Sequence, residues 1–334
     1  MKFTTLNAIA GLAATLPTSD EASVAAARAR QNSLTKPPGA LGRLETLAEF
    51  MAGWRKTICP EIKRAQALVF AGNHGVCAQG VNPYPQEVTA QMVLNFESGG
   101  AAINQLCRVN GAALRVIPLE LDRPTQDFTQ GPAMSEAETL AAMQAGADAV
   151  DTLADVLILG EMGIGNSTVA AAMAAALFGG EVSVWVGAGT GSDSAGIARK
   201  IGAIDAGLAL HSARSGMAVL ASLGGREQAA ICGAVLAARA AGIVVILDGF
   251  ICTAAAAALY TTDQRLLDHC LVGHQSSEPG HRKLLAEIDK TAILELDMRL
   301  GEGSGATLAL GILRSALACH NGMATFGEAR VSEA

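Results

Sequence analysis

The sequence predicts an α/β fold: a Rossmann-like open parallel sheet with helices on both faces, plus a small helical domain. Three observations predict it. Short apolar runs alternate with longer helical patterns, as repeated βαβ units require. Several of those runs, such as VLIL (156–159) and VVIL (244–247), are apolar at every position, as strands buried on both faces must be. Most end in a loop rich in Gly, Asn, His, Asp, Ser or Glu, where open parallel sheets hold their ligands.

In order along the chain, residues 20–56 are helical in character, with Ser19 and Asp20 as cap candidates. KPPGALGRLE at 36–45 breaks that stretch, because Pro37, Pro38 and Gly39 force a turn. Strands are expected at 67–71, 113–118, 156–160, 182–187, 243–247 and 268–272. Helices are expected at 87–108, 135–152, 167–178, 194–213, 226–241, 251–260, 279–288 and 305–320. The large α/β domain then spans residues 60–290. Residues 1–59 and 291–334 make up the small, mainly helical domain.

Composition narrows the function classes. Half of the 334 residues are hydrophobic, only 16 % are charged and mean hydropathy is +0.33, so a large core is expected. A net charge of −7 without any basic run disfavours nucleic acid as a partner. Seven scattered cysteines with no C-x-x-C read as reduced thiols of a cytoplasmic protein. The six histidines form no H-x-x-x-H pair, so no metal site is expected. Apolar stretches near 168–178 and 242–260 are too short or too interrupted to span a bilayer.

The chemistry sits in the loops. VLILGEMGIGNSTVAAAM (156–173) is strand, glycine loop and helix start, which together offer unpaired N–H groups to an anion. Gly160, Gly163 and Gly165 permit a close approach, and Asn166, Ser167 and Thr168 are cap candidates. The loop is neither a P-loop nor a dinucleotide fingerprint. Glu161 is the odd residue beside an anion. GAGTGSD (187–193) places Gly187, Gly189, Thr190 and Gly191 in a second donor-rich turn. Lys200 on the next helix is either a phosphate ligand or a solvated surface lysine. Asp248 in LDGF binds ribose hydroxyls or caps a helix. Glu302 in GEGSG is hemmed in by glycines. It is either a desolvated general base or a carboxylate at a helix N-terminus. The prolines and Tyr84 of the 69–104 segment suit a flat aromatic pocket, and His74 there reads as structural.

KPPGALGRLE, AGNHGV, PYPQEVT, LGEMGIGNST, GAGTG, LDGF, GHQSSEPGH and GEGSGA occur in that order from about residue 36 to 327. In this the chain resembles the nicotinate-nucleotide–dimethylbenzimidazole phosphoribosyltransferases of cobalamin biosynthesis. The resemblance implies phosphoribosyl transfer from nicotinate mononucleotide to 5,6-dimethylbenzimidazole, giving α-ribazole 5′-phosphate and nicotinate. It implies Glu302 as general base and Glu161 as the second carboxylate near the reacting centre. Phosphate and nucleotide would lie against Gly163, Gly165, Asn166, Ser167, Thr168, Gly187, Gly189, Thr190, Gly191 and Lys200, with Asp248, Gly249 and Ser276 on the nucleotide or nicotinate. Asn82, Pro83, Tyr84, Gln91, Met162 and Leu300 would line the base pocket. Asn82 is a departure, standing where the family pattern has serine. The resemblance also implies a homodimer, no cofactor and no metal, since a pyridinium leaving group needs neither acid nor Lewis acid. Two other classes fit parts of the pattern: a non-catalytic nucleotide sensor, and a magnesium-dependent transferase using a diphosphate sugar.

Overall fold

Among the described residues of the computed structural model (1–189, 191–213 and 215–332), six strands form one parallel sheet. The first part of the chain runs α1 (Glu21–Ser33), α2 (Arg43–Arg55), β1 (Ala65–Ala71), α3 (Glu87–Glu97), α4 (Ala102–Asn110), β2 (Ala112–Pro118), α5 (Glu136–Ala149), β3 (Val156–Met162) and α6 (Asn166–Phe178). It continues as α7 (Ser194–Leu210), α8 (Gly216–Leu223), α9 (Arg226–Ala240), β4 (Val244–Leu247), α10 (Phe250–Thr262), β5 (Cys270–Gln275), α11 (Pro279–Glu287), β6 (Ala292–Glu295), α12 (Ser304–Gly322) and α13 (Phe326–Ala329). The strand order is β2-β1-β3-β4-β5-β6. After β2 the chain returns to the other side of β1, so the order reverses between β1 and β3. A crevice opens at the carboxyl ends of strands at such a point.

Strand periodicity divides the core into two layers. Leu68, Phe70, Leu157, Leu159, Val245 and Leu247 face a layer built from α5, α6, α8, α9 and α10. Ala67, Val69, Val156, Ile158, Val244 and Ile246 face the opposite layer, which holds α2, α4 and α12. Alanine dominates α6, α9 and α10, so helices and sheet approach closely. The first helices and α12 lie together. Arg30 donates to the His320 and Asn321 carbonyls, and Leu34 pairs with Thr325. No helix among the described residues is long and apolar enough to cross a membrane.

Two expected elements differ. Residues 182–187 are not a strand: only a single 3₁₀ turn forms, at Val182–Val184. The run is apolar because Trp185 is buried against Phe178 and donates its indole N–H to the Gly179 carbonyl. Helix packing, rather than the sheet, meets its hydrophobicity. The sixth strand is instead Ala292–Glu295, a half-exposed edge with a weak apolar signal. It lies just beyond the residue-290 edge expected for the large domain. The helical pattern at 87–108 is broken at Ser98–Ala101, where Gly99 takes φ +80°. Helix α8 lacked a signal of its own.

The α5–α9 contact depends on two glycines. A Cβ at Gly146 would meet the Ala230 carbonyl, and one at Gly233 would meet the Met143 carbonyl. Backbone cannot move aside as a side chain can. Gly233→Val is therefore expected to lower stability by about 3 kcal/mol, read as a lower urea midpoint. An unchanged midpoint contradicts this packing.

Candidate active site

The described loops at the carboxyl ends of β1, β3, β4, β5 and β6 line one cleft of about 820 Å³, counting its open mouth. It is within the size range of small-molecule sites. The glycine turn at 187–189 closes one side.

One end is cationic. Helix α6 starts at Gly165, in the left-handed region at φ +92°, and no side chain caps it. The expected caps are used otherwise. Asn166 donates its amide to Glu161, Ser167 accepts from Lys200, and Thr168 is fully buried and does not line the cleft. Of the first α6 amides, Asn166 and Thr168 donate to the Gly163 and Gly165 carbonyls, and the positive end of the helix dipole stands beside the cleft. Lys200 is 3 % exposed, so it is not a surface lysine. It donates only to neutral oxygens, Ser167 Oγ at 3.3 Å and the Gly187 carbonyl at 3.2 Å. Among the described residues it has no carboxylate within 4 Å. Burial lowers its pKa, and the charge of Glu278 opposes that. A buried cation with no ion pair within 4 Å among the described residues is a site for an anion.

Two acids stand at the base of the cleft. Glu161 lines it and is 4 % exposed, whereas Glu302 is 6 % exposed and off the lining, next to the lining residue Gly301. Burial, then the charges of Asp248, Glu227 and Glu302, push Glu161 well above the carboxylate range. Burial and the charge of Asp248 raise Glu302 to about 7. Glu302 is held at φ +63°, a conformation costly for a non-glycine residue. Its backbone presses on Gly160, where a Cβ would lie 2.6 Å from the Glu302 carbonyl carbon. Gly301 meets Glu161 equally closely: a Cβ there would lie 2.6 Å from Glu161 Oε1.

Asp248 answers the choice left open by the sequence. It is fully buried, off the cleft lining, and caps the start of α12 rather than the helix that follows it. Oδ2 accepts from the Gly303 N–H at 3.0 Å and Oδ1 from Ala306 at 2.8 Å. His74 is also structural: its Nε2 lies 3.1 Å from Glu227 Oε1, both groups fully buried. His281 has a pKa lowered by burial to about 3. Its neutral ring accepts from the Ser276 N–H at 2.8 Å and so fixes that loop.

The apolar mouth comprises Pro83, Tyr84, Met162 and Leu300, with Tyr84 and Leu300 about half exposed. Asn82 also lines it and donates to the Tyr84 carbonyl, which folds the loop. Gly163, Gly189, Gly249 and Ser276 line the cleft as well. Gly187 does not, because Glu278 covers it. Gly191 and Gln91 are exposed and off the lining, and Thr190 lies outside the described residues. Sequence reasoning missed Glu278 and Arg299, which line the cleft together with His274. Glu278 stands at the N-cap position before Pro279, yet its side chain makes no cap bond and instead accepts from Gly189.

A family model described as phosphoribosyltransferase matches residues 16–331 of this chain. A nicotinate-nucleotide–dimethylbenzimidazole phosphoribosyltransferase of Rhodobacter capsulatus is 68 % identical over 97 % of both chains. The chain belongs to this phosphoribosyltransferase family. The relative of the same name from Ruegeria pomeroyi is 60 % identical over 95 % of this chain and 94 % of its own. The crystal structure of CobT from Thermus thermophilus superposes with a TM-score of 0.88 at 42 % identity, covering 94 % of this chain and all of that one. As a phosphoribosyltransferase, the chain is a pentosyl-transferring enzyme on a parallel α/β sheet.

The raised carboxyl pKa values have a stability consequence. An acid whose pKa rises on folding stabilises the fold fully below its unfolded value, near 4.5, and loses that contribution as pH climbs through about 7. Glu302→Gln is therefore expected to gain stability over the parent at pH 8, by up to about 3 kcal/mol, and to gain little at pH 4. Denaturant titrations at both pH values test this, and an equal difference at both contradicts it.

Proposed function

We propose that the chain transfers the phosphoribosyl group of nicotinate mononucleotide to 5,6-dimethylbenzimidazole with inversion at the ribose. The products are α-ribazole 5′-phosphate and nicotinate, in a step of cobalamin biosynthesis. The observation that carries this reading is the polarity of this cleft. A helix start with no side-chain cap and a buried lysine with no ion pair within 4 Å among the described residues stand at one end, Glu161 with its raised pKa lies at the floor with Glu302 buried next to the lining residue Gly301, and a flat apolar mouth is at the other end. Names carried by full-length relatives support the same substrates.

The nucleotide phosphate takes Lys200, Ser167, Gly189 and the start of α6. The benzimidazole lies between Pro83, Tyr84, Met162 and Leu300. The leaving nicotinate is bound to ribose as a pyridinium, so C–N cleavage needs no proton. Positive charge then develops on the ribose. The pyridinium charge favours the ionised form of Glu161, whose carboxylate then steadies the ribosyl cation. The base attacks from the opposite face, and Glu302 takes the proton from its other ring nitrogen. A carboxyl poised near 7 suits that task at neutral pH.

Incubation with nicotinate mononucleotide and 5,6-dimethylbenzimidazole, followed by chromatography, is expected to give α-ribazole 5′-phosphate. Absence of that product overturns the reading. Glu302→Gln is expected to cut kcat by about 10²–10⁴ while leaving mononucleotide affinity within about twofold, and an unchanged kcat removes Glu302 as the base. In the parent, kcat/KM is expected to rise with pH through about 7, because the base must be ionised to accept a proton. A profile flat from pH 5 to 9 argues against this assignment.

A further inference from the structure

Glu278 holds a backbone donor of the glycine turn beside Lys200. Its Oε1 accepts from the Gly189 N–H at 2.9 Å, and its other carboxylate oxygen covers Gly187. The same carboxylate lines the cleft beside Ser167, Gly189 and Lys200. A Cβ on Gly189 would lie 3.1 Å from Lys200 Nζ and 3.0 Å from Ser167 Oγ, so the Gly189 turn stands directly against both. Lys200 keeps to neutral partners within bonding distance. The glycine turn is thus satisfied by an internal anion, while Lys200 donates to neutral oxygens and has charge to offer an external one.

We propose that Glu278 is a specificity-determining placeholder: its carboxylate occupies the Gly189 amide while the site is empty and yields it when the nucleotide phosphate arrives. This rests on the phosphate position given under Proposed function. Two anions cannot share one N–H donor at close range without repulsion. Phosphate entry must therefore break the Glu278–Gly189 bond and turn the carboxylate away or neutralise it. The α-nucleotide product carries the same phosphate. A carboxylate that reclaims Gly189 hastens its departure, so the cost set on phosphate binding is recovered as product release.

Affinity for nicotinate mononucleotide and for nicotinate riboside, which lacks the phosphate, is measured by calorimetry on the parent, Glu278→Gln and Lys200→Ala. Glu278→Gln is expected to bind the mononucleotide about tenfold more tightly, since a competing charge is removed, and the riboside as the parent does. Its KM for mononucleotide falls, and kcat falls with slower product release. Glu278→Ser also removes the charge, is expected to show the same gain, and guards against a folding defect in one variant, with thermal melts run on each. Mononucleotide affinity that is unchanged or weaker in both variants, while Lys200→Ala loses it, overturns the placeholder and makes Glu278 a fixed clamp on the glycine turn. Mononucleotide affinity that survives Lys200→Ala overturns the phosphate position itself, and the placeholder with it.

Discussion

One buried carboxylate ties the last long helix to the sheet. Asp248, at the end of β4, accepts from the amides of Gly303 and Ala306 with both of its oxygens. Helix starts present unpaired N–H groups, and a charged acceptor is the strongest partner for them. That pair of bonds sets where α12 begins, and therefore where Glu302 stands. Gly160 completes the arrangement by letting the 301–303 backbone lie against β3. The strained φ of Glu302 persists because both sides of its turn are held.

The same aspartate shapes the electrostatics. Its charge adds to the burial of Glu161 and Glu302, and both carboxyls rise above their usual range. Glu227, brought in by α9 and held beside His74, adds to the effect on Glu161. The acids are thus gathered at and behind Glu161, the one of them that lines the cleft, while Lys200 stands beside Ser167 and the Gly187 carbonyl. An overall acidic protein can hold an anion on these terms, because the field at the site is local and sheltered from solvent.

Much of the fold was legible in the sequence because β1, β3 and β4 are apolar at successive positions and are followed by helices of ordinary length. The misreadings have one cause. VSVWVG has the β-branched character of a strand, yet Val182, Trp185 and Val186 are buried outside the sheet while Val184 is exposed, and AILE carries a weak pattern because it lies at an exposed edge. Local pattern reports that a segment is buried, not which neighbour buries it. In the site, the glycine loops and the two acids were legible because glycines flanking an acid are unusual. Glu278 was not, since an acid before a proline at a helix start has an ordinary explanation.

The sequence by itself determined the alternation of strands and helices, the loops that end the strands, and the family that their order resembles. These are properties of neighbouring residues. Only the tertiary structure decided which helix Asp248 caps, that Lys200 is buried with no ion pair within 4 Å among the described residues, and that Glu278 lies on Gly189, 89 residues away in sequence. Charges in water hardly sense one another. Burial in a shared cleft couples them, and no run of neighbouring residues records which charges the fold will bring together.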